Sequence, residues 1–206
     1  QVFDNGKEKK MITINLTNDF EPFGPGLKLS RNELFPSQAE VRFELDPSSI
    51  SRIAQDGSVR ITVRVHSSDC IMKIMLVADV LRRIDGVTYV ELFMPYVPYA
   101  RQDRVMDVGH ALSIKVFARM INGCGFNKVW MFDPHSDVAS ALIDNARVIS
   151  NTAFVKKALE GKSDFIVVSP DAGAFKKIQK LCEQIGYMGD VQTVSKSRDV
   201  STGHMV

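Results

Sequence analysis

Val87-Thr88-Tyr89-Val90-Glu91-Leu92-Phe93 runs directly into Met94-Pro95-Tyr96-Val97-Pro98-Tyr99-Ala100-Arg101-Gln102-Asp103-Arg104, and the join between the two decides how the chain reads. The first segment is short and mostly apolar, which suits a buried strand. The second brings two prolines, two tyrosines and a cluster of alternating charge. Proline fixes φ and removes a backbone donor, so it ends strand pairing and stiffens the loop that follows. Two arginines three residues apart offer planar forks for phosphate, and tyrosines offer flat faces for a nucleobase. A strand that empties into such a loop suits the carboxyl edge of a parallel sheet, where open α/β proteins hold their ligands. The competing reading is a solvated arginine pair beside a turn.

Strand and helix signals alternate on both sides of this join. Residues 70–84 place Ile71, Ile74, Met75, Ala78 and Leu81 at helical spacing, with Gly86 as the cap. Val59 to Val65 alternates, with Val59, Ile61, Val63 and Val65 on one side and Arg60, Thr62 and Arg64 on the other. Ala39 to Leu45 alternates as a half-exposed strand, Met11 to Leu16 is a first short strand, and Glu21 to Ser30 is loop. Beyond the join, a helix runs from about Leu112 to Asn122 before Gly123, followed by a strand over Lys128–Phe132. A strand over Phe165–Ser169, a helix over Ala172–Ile185 and a strand-like Val191–Ser195 follow. This rhythm predicts an α/β fold, a mostly parallel sheet with helices on both faces. A linker fits best between Asn145 and Thr152, giving one domain over residues 1–150 and another over 151–206.

Composition agrees with an ordinary globular chain. At 206 residues and 45% hydrophobic, it can bury a substantial core as one large or two small domains. Twenty-six Lys and Arg against 24 Asp and Glu leave a net charge of +2, so no global field points to nucleic acid or a membrane surface as partner. The apolar runs fall short of a membrane span, and Gln1-Val2-Phe3-Asp4 does not read as a signal peptide. Cys70, Cys124 and Cys182 leave one thiol over under any pairing and lack metal spacing, so they read as buried thiols of a reducing cytoplasm.

Three further segments carry chemistry. Asp133-Pro134-His135-Ser136 follows a buried strand, so the imidazole can be exposed and fixed at once. Val168-Ser169-Pro170-Asp171-Ala172-Gly173-Ala174 ends another strand, and its last residues read as the opening of a helix whose free N–H groups suit an anion. A histidine and a carboxylate at strand ends suit Mg²⁺ with a nucleotide, because Mg²⁺ takes few protein ligands and completes its shell with water and phosphates. Lys196-Ser197-Arg198-Asp199 is the third, a pair of cations that would mean little in isolation.

Taken in order, the four segments resemble the ribose-phosphate pyrophosphokinases, the phosphoribosyl pyrophosphate synthetases, from about Cys70 to the end of the chain. The resemblance implies a phosphoribosyltransferase-like first domain and the start of a second, similar one. It implies that Arg101 and Gln102 bind ATP, with Arg104 a further phosphate contact, and that His135 and Asp171 touch Mg²⁺. It assigns Lys196 and Arg198 to the transferring phosphates, where positioned cations offset the charge that develops in the transition state. The family's adenine-reading segment has its nearest counterpart in Phe35-Pro36-Ser37-Gln38-Ala39-Glu40, which keeps the Phe and a Glu but lacks the Asp and Gly. Tyr96 and Tyr99 are expected to pack the loop. Ala174 and Ser197 depart from the family's usual Gly and Arg.

The family's acceptor loop, Asp-Asp-x-x-Asp-Thr-Gly-Gly-Thr, has no match here, and Ser201-Thr202-Gly203 lacks its acidic lead and second glycine. The chain is therefore expected to be roughly the N-terminal two-thirds of a family member, with the ATP half of the site. The reaction implied is transfer of the diphosphoryl group of ATP to the 1-hydroxyl of ribose 5-phosphate, in a cytoplasmic homo-oligomer. Two alternatives are the same chemistry on a bulkier ester such as ADP-ribose, and a non-catalytic regulatory relative.

Overall fold

The alternation from Val59 to Val65 becomes β4 (Ser58–Thr62), second in a five-stranded sheet that is parallel throughout. The computed structural model describes residues 11–194. Its elements are β1 (Ile12–Asn15), β2 (Leu29–Phe35), β3 (Glu40–Leu45), α1 (Pro47–Asp56), β4, α2 (Ser68–Arg82), β5 (Tyr89–Phe93), α3 (Ser113–Gly123), β6 (Lys128–Phe132), α4 (Asp137–Leu142) and β7 (Ala146–Ile149). They continue with α5 (Thr152–Leu159), β8 (Val168–Ser169), α6 (Phe175–Ile185) and β9 (Gln192–Thr193). The chain divides between Ile149 and Ser150 into two compact units.

In the first unit the sheet order is β1-β4-β5-β6-β7, and β2 and β3 form a separate antiparallel hairpin. Residues in register across parallel strands share a face. Ile14, Ile61, Leu92, Val129 and Ala146 form one such line across all five strands. This face joins Ile74, Val77 and Leu81 of α2 and Ile114, Phe117 and Ile121 of α3 in one core. Full burial of each large apolar side chain is worth about 1.5–3 kcal/mol.

The other face is polar at its centre. Thr13, Arg60, Glu91 and Lys128 lie in register on it, as do Asn15, Thr62, Phe93, Trp130 and Arg147. Thr62 points away from the apolar core as expected, yet it is fully buried, and its hydroxyl donates to Asn15 Oδ1 at 2.6 Å, which offsets the cost of removing it from water. Phe20 and Phe23, from the loop after β1, lie against Phe93 with centroids 6.0 and 5.0 Å away.

Several elements escaped the sequence reading or moved. Asp46 caps α1 through the Ser48 N–H, Pro47 opens it and Gly57 closes it in the left-handed region. The helix of α2 ends at Arg82, and Gly86 sits in the turn beyond with φ +90°, so it is not the cap itself. The stretch taken for a linker holds β7, paired along β6.

In the second unit β8 pairs with β9 in parallel, α5 packs on α6, and Gly186 closes α6 in the left-handed region. No described helix is long and apolar enough to cross a membrane.

Candidate functional site

The sheet edge after β5 and β6 brings two of the four motif segments together. Pairing continues past the last residue of β5: the Met94 N–H donates to the Trp130 carbonyl at 2.9 Å, and the Phe132 N–H donates to the Pro95 carbonyl at 3.0 Å. The chain then runs along the edge on three buried pegs, Met94, Val97 and Ala100. Between and beyond these pegs, Tyr96, Arg101, Gln102 and Arg104 are exposed. Apolar side chains at every third position thus seat the loop and leave Arg101, Gln102 and Arg104 outward.

Tyr99 takes a left-handed backbone with φ +63°, unusual for a residue with a Cβ. Its carbonyl accepts from the Gln102 N–H at 2.9 Å, which closes the turn carrying Arg101. Its ring lies 6.0 Å from that of Phe117 on α3, with the residue still 38% exposed. Tyr96 is 58% exposed.

At the end of β6, Asp133 also has positive φ, +42°, and its N–H donates to the Ile149 carbonyl at 2.9 Å. His135 follows, exposed on a short loop between this anchor and α4. Ser136 then donates to Asp103 Oδ2 at 2.6 Å, joining the loop after β6 to the loop after β5. This bond, then the neighbouring Arg104 guanidinium, then the charge of His135 hold the Asp103 carboxyl below the usual carboxylate range against the opposing effect of burial. Sequence reasoning missed Asp103 and Ser136, counting the first only as one charge in an alternating cluster.

Glu40 lies on the β2–β3 hairpin, after the short helical turn Pro36–Gln38 and the left-handed Ala39. It is exposed and pairs with Arg42 at 3.3 Å, while the Arg42 guanidinium sits 5.0 Å over the Phe35 ring. Phe35 and Glu40, the two residues retained from the adenine-reading pattern, are thus tied to one arginine.

In the second unit, buried Ser169 donates to the Asp171 carbonyl at 2.8 Å, and Asp171 Oδ1 accepts from the Ala174 N–H at 2.8 Å. Residues 171–174 therefore form a turn closed by the carboxylate, and α6 begins only at Phe175. The expected helix opening at Asp171 is corrected accordingly: the Ala174 N–H already has a partner inside the turn. Lys196 and Arg198 lie outside the described residues.

His135 and Asp171 are the expected metal ligands, one in each unit. Among the described residues no group of three or more His, Cys, Asp or Glu could hold an ion by itself. His135 and Asp171 are each of a donor type that Mg²⁺ accepts, an ion that takes few protein ligands and completes its shell with phosphate and water.

Comparison with known proteins gives a consistent result. Residues 50–125 match the family model for the N-terminal domain of ribose phosphate pyrophosphokinase. The ribose-phosphate pyrophosphokinase 1 of Listeria monocytogenes is 27% identical over 191 residues, covering 80% of this chain and 59% of the relative. The ribose-phosphate pyrophosphokinase of Aeropyrum pernix is 28% identical over 187 residues, covering 87% of this chain and 58% of the relative. The chain thus spans somewhat under three-fifths of the length of these relatives. The crystal structure of phosphoribosylpyrophosphate synthetase from Mycobacterium smegmatis superposes with a TM-score of 0.67 at 18% identity, over 88% of this chain and 59% of that one. At that identity the likeness speaks for the fold.

Proposed function

We propose, from the premise that this chain is related to the ribose-phosphate pyrophosphokinases over their N-terminal part, that the protein transfers a diphosphoryl group from ATP to ribose 5-phosphate. The observation that supports this reading is the pair of loops leaving adjacent parallel strands, β5 and β6, at one sheet edge. Arg101, Gln102, Arg104 and His135 are exposed on loops whose backbones are anchored by buried side chains and by hydrogen bonds to neighbouring strands. That is the edge at which α/β proteins bind phosphorylated ligands.

In this proposal Arg101 and Gln102 bind ATP, Arg104 adds a phosphate contact, and Glu40 contributes to recognition of the base. His135 and Asp171 hold Mg²⁺, which when bound neutralises phosphate charge. The 1-hydroxyl oxygen of the sugar forms a bond to the β-phosphorus as the bond from that phosphorus to the α,β-bridging oxygen breaks. AMP leaves, and the hydroxyl proton passes to solvent. Lys196 and Arg198 stabilise the charge on the transferring group, and orientation with charge neutralisation carries the step. The protein is proposed to act as a cytoplasmic homo-oligomer, with no nucleic acid or membrane as partner.

The test is AMP formation from ATP, Mg²⁺ and ribose 5-phosphate. AMP and phosphoribosyl pyrophosphate in equal amounts support the reading. AMP formed only with a bulkier ester such as ADP-ribose would replace the acceptor and keep the chemistry. Nucleotide binding with no AMP from either acceptor would make the protein a regulatory relative.

A further inference from the structure

Ser136 occupies the N-cap of α4, yet its side chain makes no capping bond to that helix. A serine at this position ordinarily accepts from an N–H of the first turn. Here the hydroxyl donates instead across to Asp103 Oδ2 at 2.6 Å. Asp103 stands next to Gln102, and its side chain is 8% exposed while that of Arg104 beside it is 74% exposed. One carboxylate in an otherwise outward-facing polar run is therefore turned inward, and it meets the neighbouring loop.

Resting on the function proposed above, we infer that Asp103 and Ser136 are positioning residues that couple ATP binding to Mg²⁺ binding. Neither is assigned a ligand contact. The bond joins the turn that presents Arg101 and Gln102 to the loop that presents His135. If the two loops order as one piece, a cation at His135 and phosphates at Arg101 and Gln102 favour the same arrangement. Each ligand then binds to a protein the other has already ordered, which is a coupling free energy between sites. Without the bond each loop keeps its own anchors: Met94, Val97 and Ala100 in the core on one side, and the Asp133 N–H on the Ile149 carbonyl on the other. Binding of either ligand alone should survive, and their mutual enhancement should fall.

The experiment measures ATP affinity of the full chain by calorimetry, once in EDTA and once in saturating Mg²⁺. The variants are Ser136→Ala, Ser136→Thr, Asp103→Ala and, as control, His135→Ala, with a melting curve for each. Ser136→Ala and Asp103→Ala, each of which removes one side of the bond, are expected to keep the EDTA affinity within about twofold and to lose at least about fivefold of the Mg²⁺ enhancement, the low end of typical coupling between sites. Ser136→Thr, which keeps a hydroxyl, should restore it. A purely structural bond would instead lower melting temperature and both affinities together, and that result would overturn the inference. So would a threonine variant as defective as the alanine. Loss of the enhancement in His135→Ala with full retention in Ser136→Ala would overturn the positioning role alone. No ATP binding by the unaltered chain, or full enhancement in His135→Ala, would overturn the functional reading and this inference with it.

Discussion

Arg60 and Glu91 face each other from β4 and β5 as an ion pair whose side chains are 11% and 3% exposed. Glu91 also accepts from Trp130 Nε1 at 3.1 Å and from the Tyr89 hydroxyl at 3.3 Å, and the Arg60 guanidinium lies 4.0 Å over the Phe23 ring. The carboxylate is thus desolvated but surrounded by donors. Removing one partner leaves the other charge buried and uncompensated, so Glu91→Ala should cost about 3–5 kcal/mol. Replacing both, as Arg60→Met with Glu91→Leu, should recover much of that loss. Urea denaturation of the two variants decides it: equal destabilisation would mean that the charge pairing is not what the single substitution breaks.

A second prediction concerns backbone geometry where α1 meets the turn after α2. Gly86 has φ +90°, and a Cβ there would come within 2.7 Å of the Ala54 carbonyl oxygen. Gly57 has φ +75°, and its Cβ would stand 2.8 Å from the Gly86 oxygen. The two glycines let these backbones touch. Gly86→Ala combines a left-handed φ with a backbone clash and should destabilise by about 1–3 kcal/mol. Gly123, the last residue of α3, has open space around its Cβ position, so Gly123→Ala should stabilise by about 0.4–1 kcal/mol. Thermal unfolding of both variants should shift in opposite directions.

The Asp103 carboxyl gives a prediction in pH. Its value is held below the ordinary one, chiefly by the Ser136 hydroxyl, so the folded state favours the carboxylate. The resulting stabilisation is present above the unfolded value of about 3.9 and is lost as pH falls through the lower folded value. Ser136→Ala removes the largest cause, so the midpoint should rise toward the ordinary value. Carbon-13 NMR titration of the Asp103 side chain in both proteins reads this directly. An unmoved midpoint would show that Ser136 is not the main source of the depression.

The fold was legible wherever one periodicity acted alone. Val59, Ile61, Leu92 and Val129 announced buried strands, and Ile71, Ile74 and Ala78 a helix, because burial on one side is the strongest local signal a chain carries. Short elements held by tertiary contacts were not legible: α4 covers six residues, and β7 pairs through Arg147 and Val148, both exposed. The signals of α1 were present in Asp46-Pro47 and Gly57, but its polar composition masked them. At the candidate site, Arg101, Gln102 and His135 were singled out through the resemblance of their segments, and the structure leaves all three exposed. The bond between Ser136 and Asp103 was not legible, since it spans 33 positions and depends on two strands lying side by side.

The proposed division of labour between binding and chemistry leads to a kinetic prediction. Arg101, exposed on its turn after β5, is assigned to ATP already bound in the ground state. Lys196 is assigned to charge that develops only as the diphosphoryl group moves. An interaction made equally in both states changes KM, and one made only in the transition state changes kcat. Arg101→Ala should therefore raise KM for ATP and weaken equilibrium ATP binding together, with a smaller effect on kcat. Lys196→Ala should lower kcat by about 10²–10³, the scale seen when one preorganised donor to a developing charge is removed, and leave ATP binding nearly unchanged. Steady-state kinetics paired with equilibrium binding separate the two. Parallel losses of binding and turnover in Lys196→Ala would remove the basis for its transition-state role and return it to the nucleotide grip.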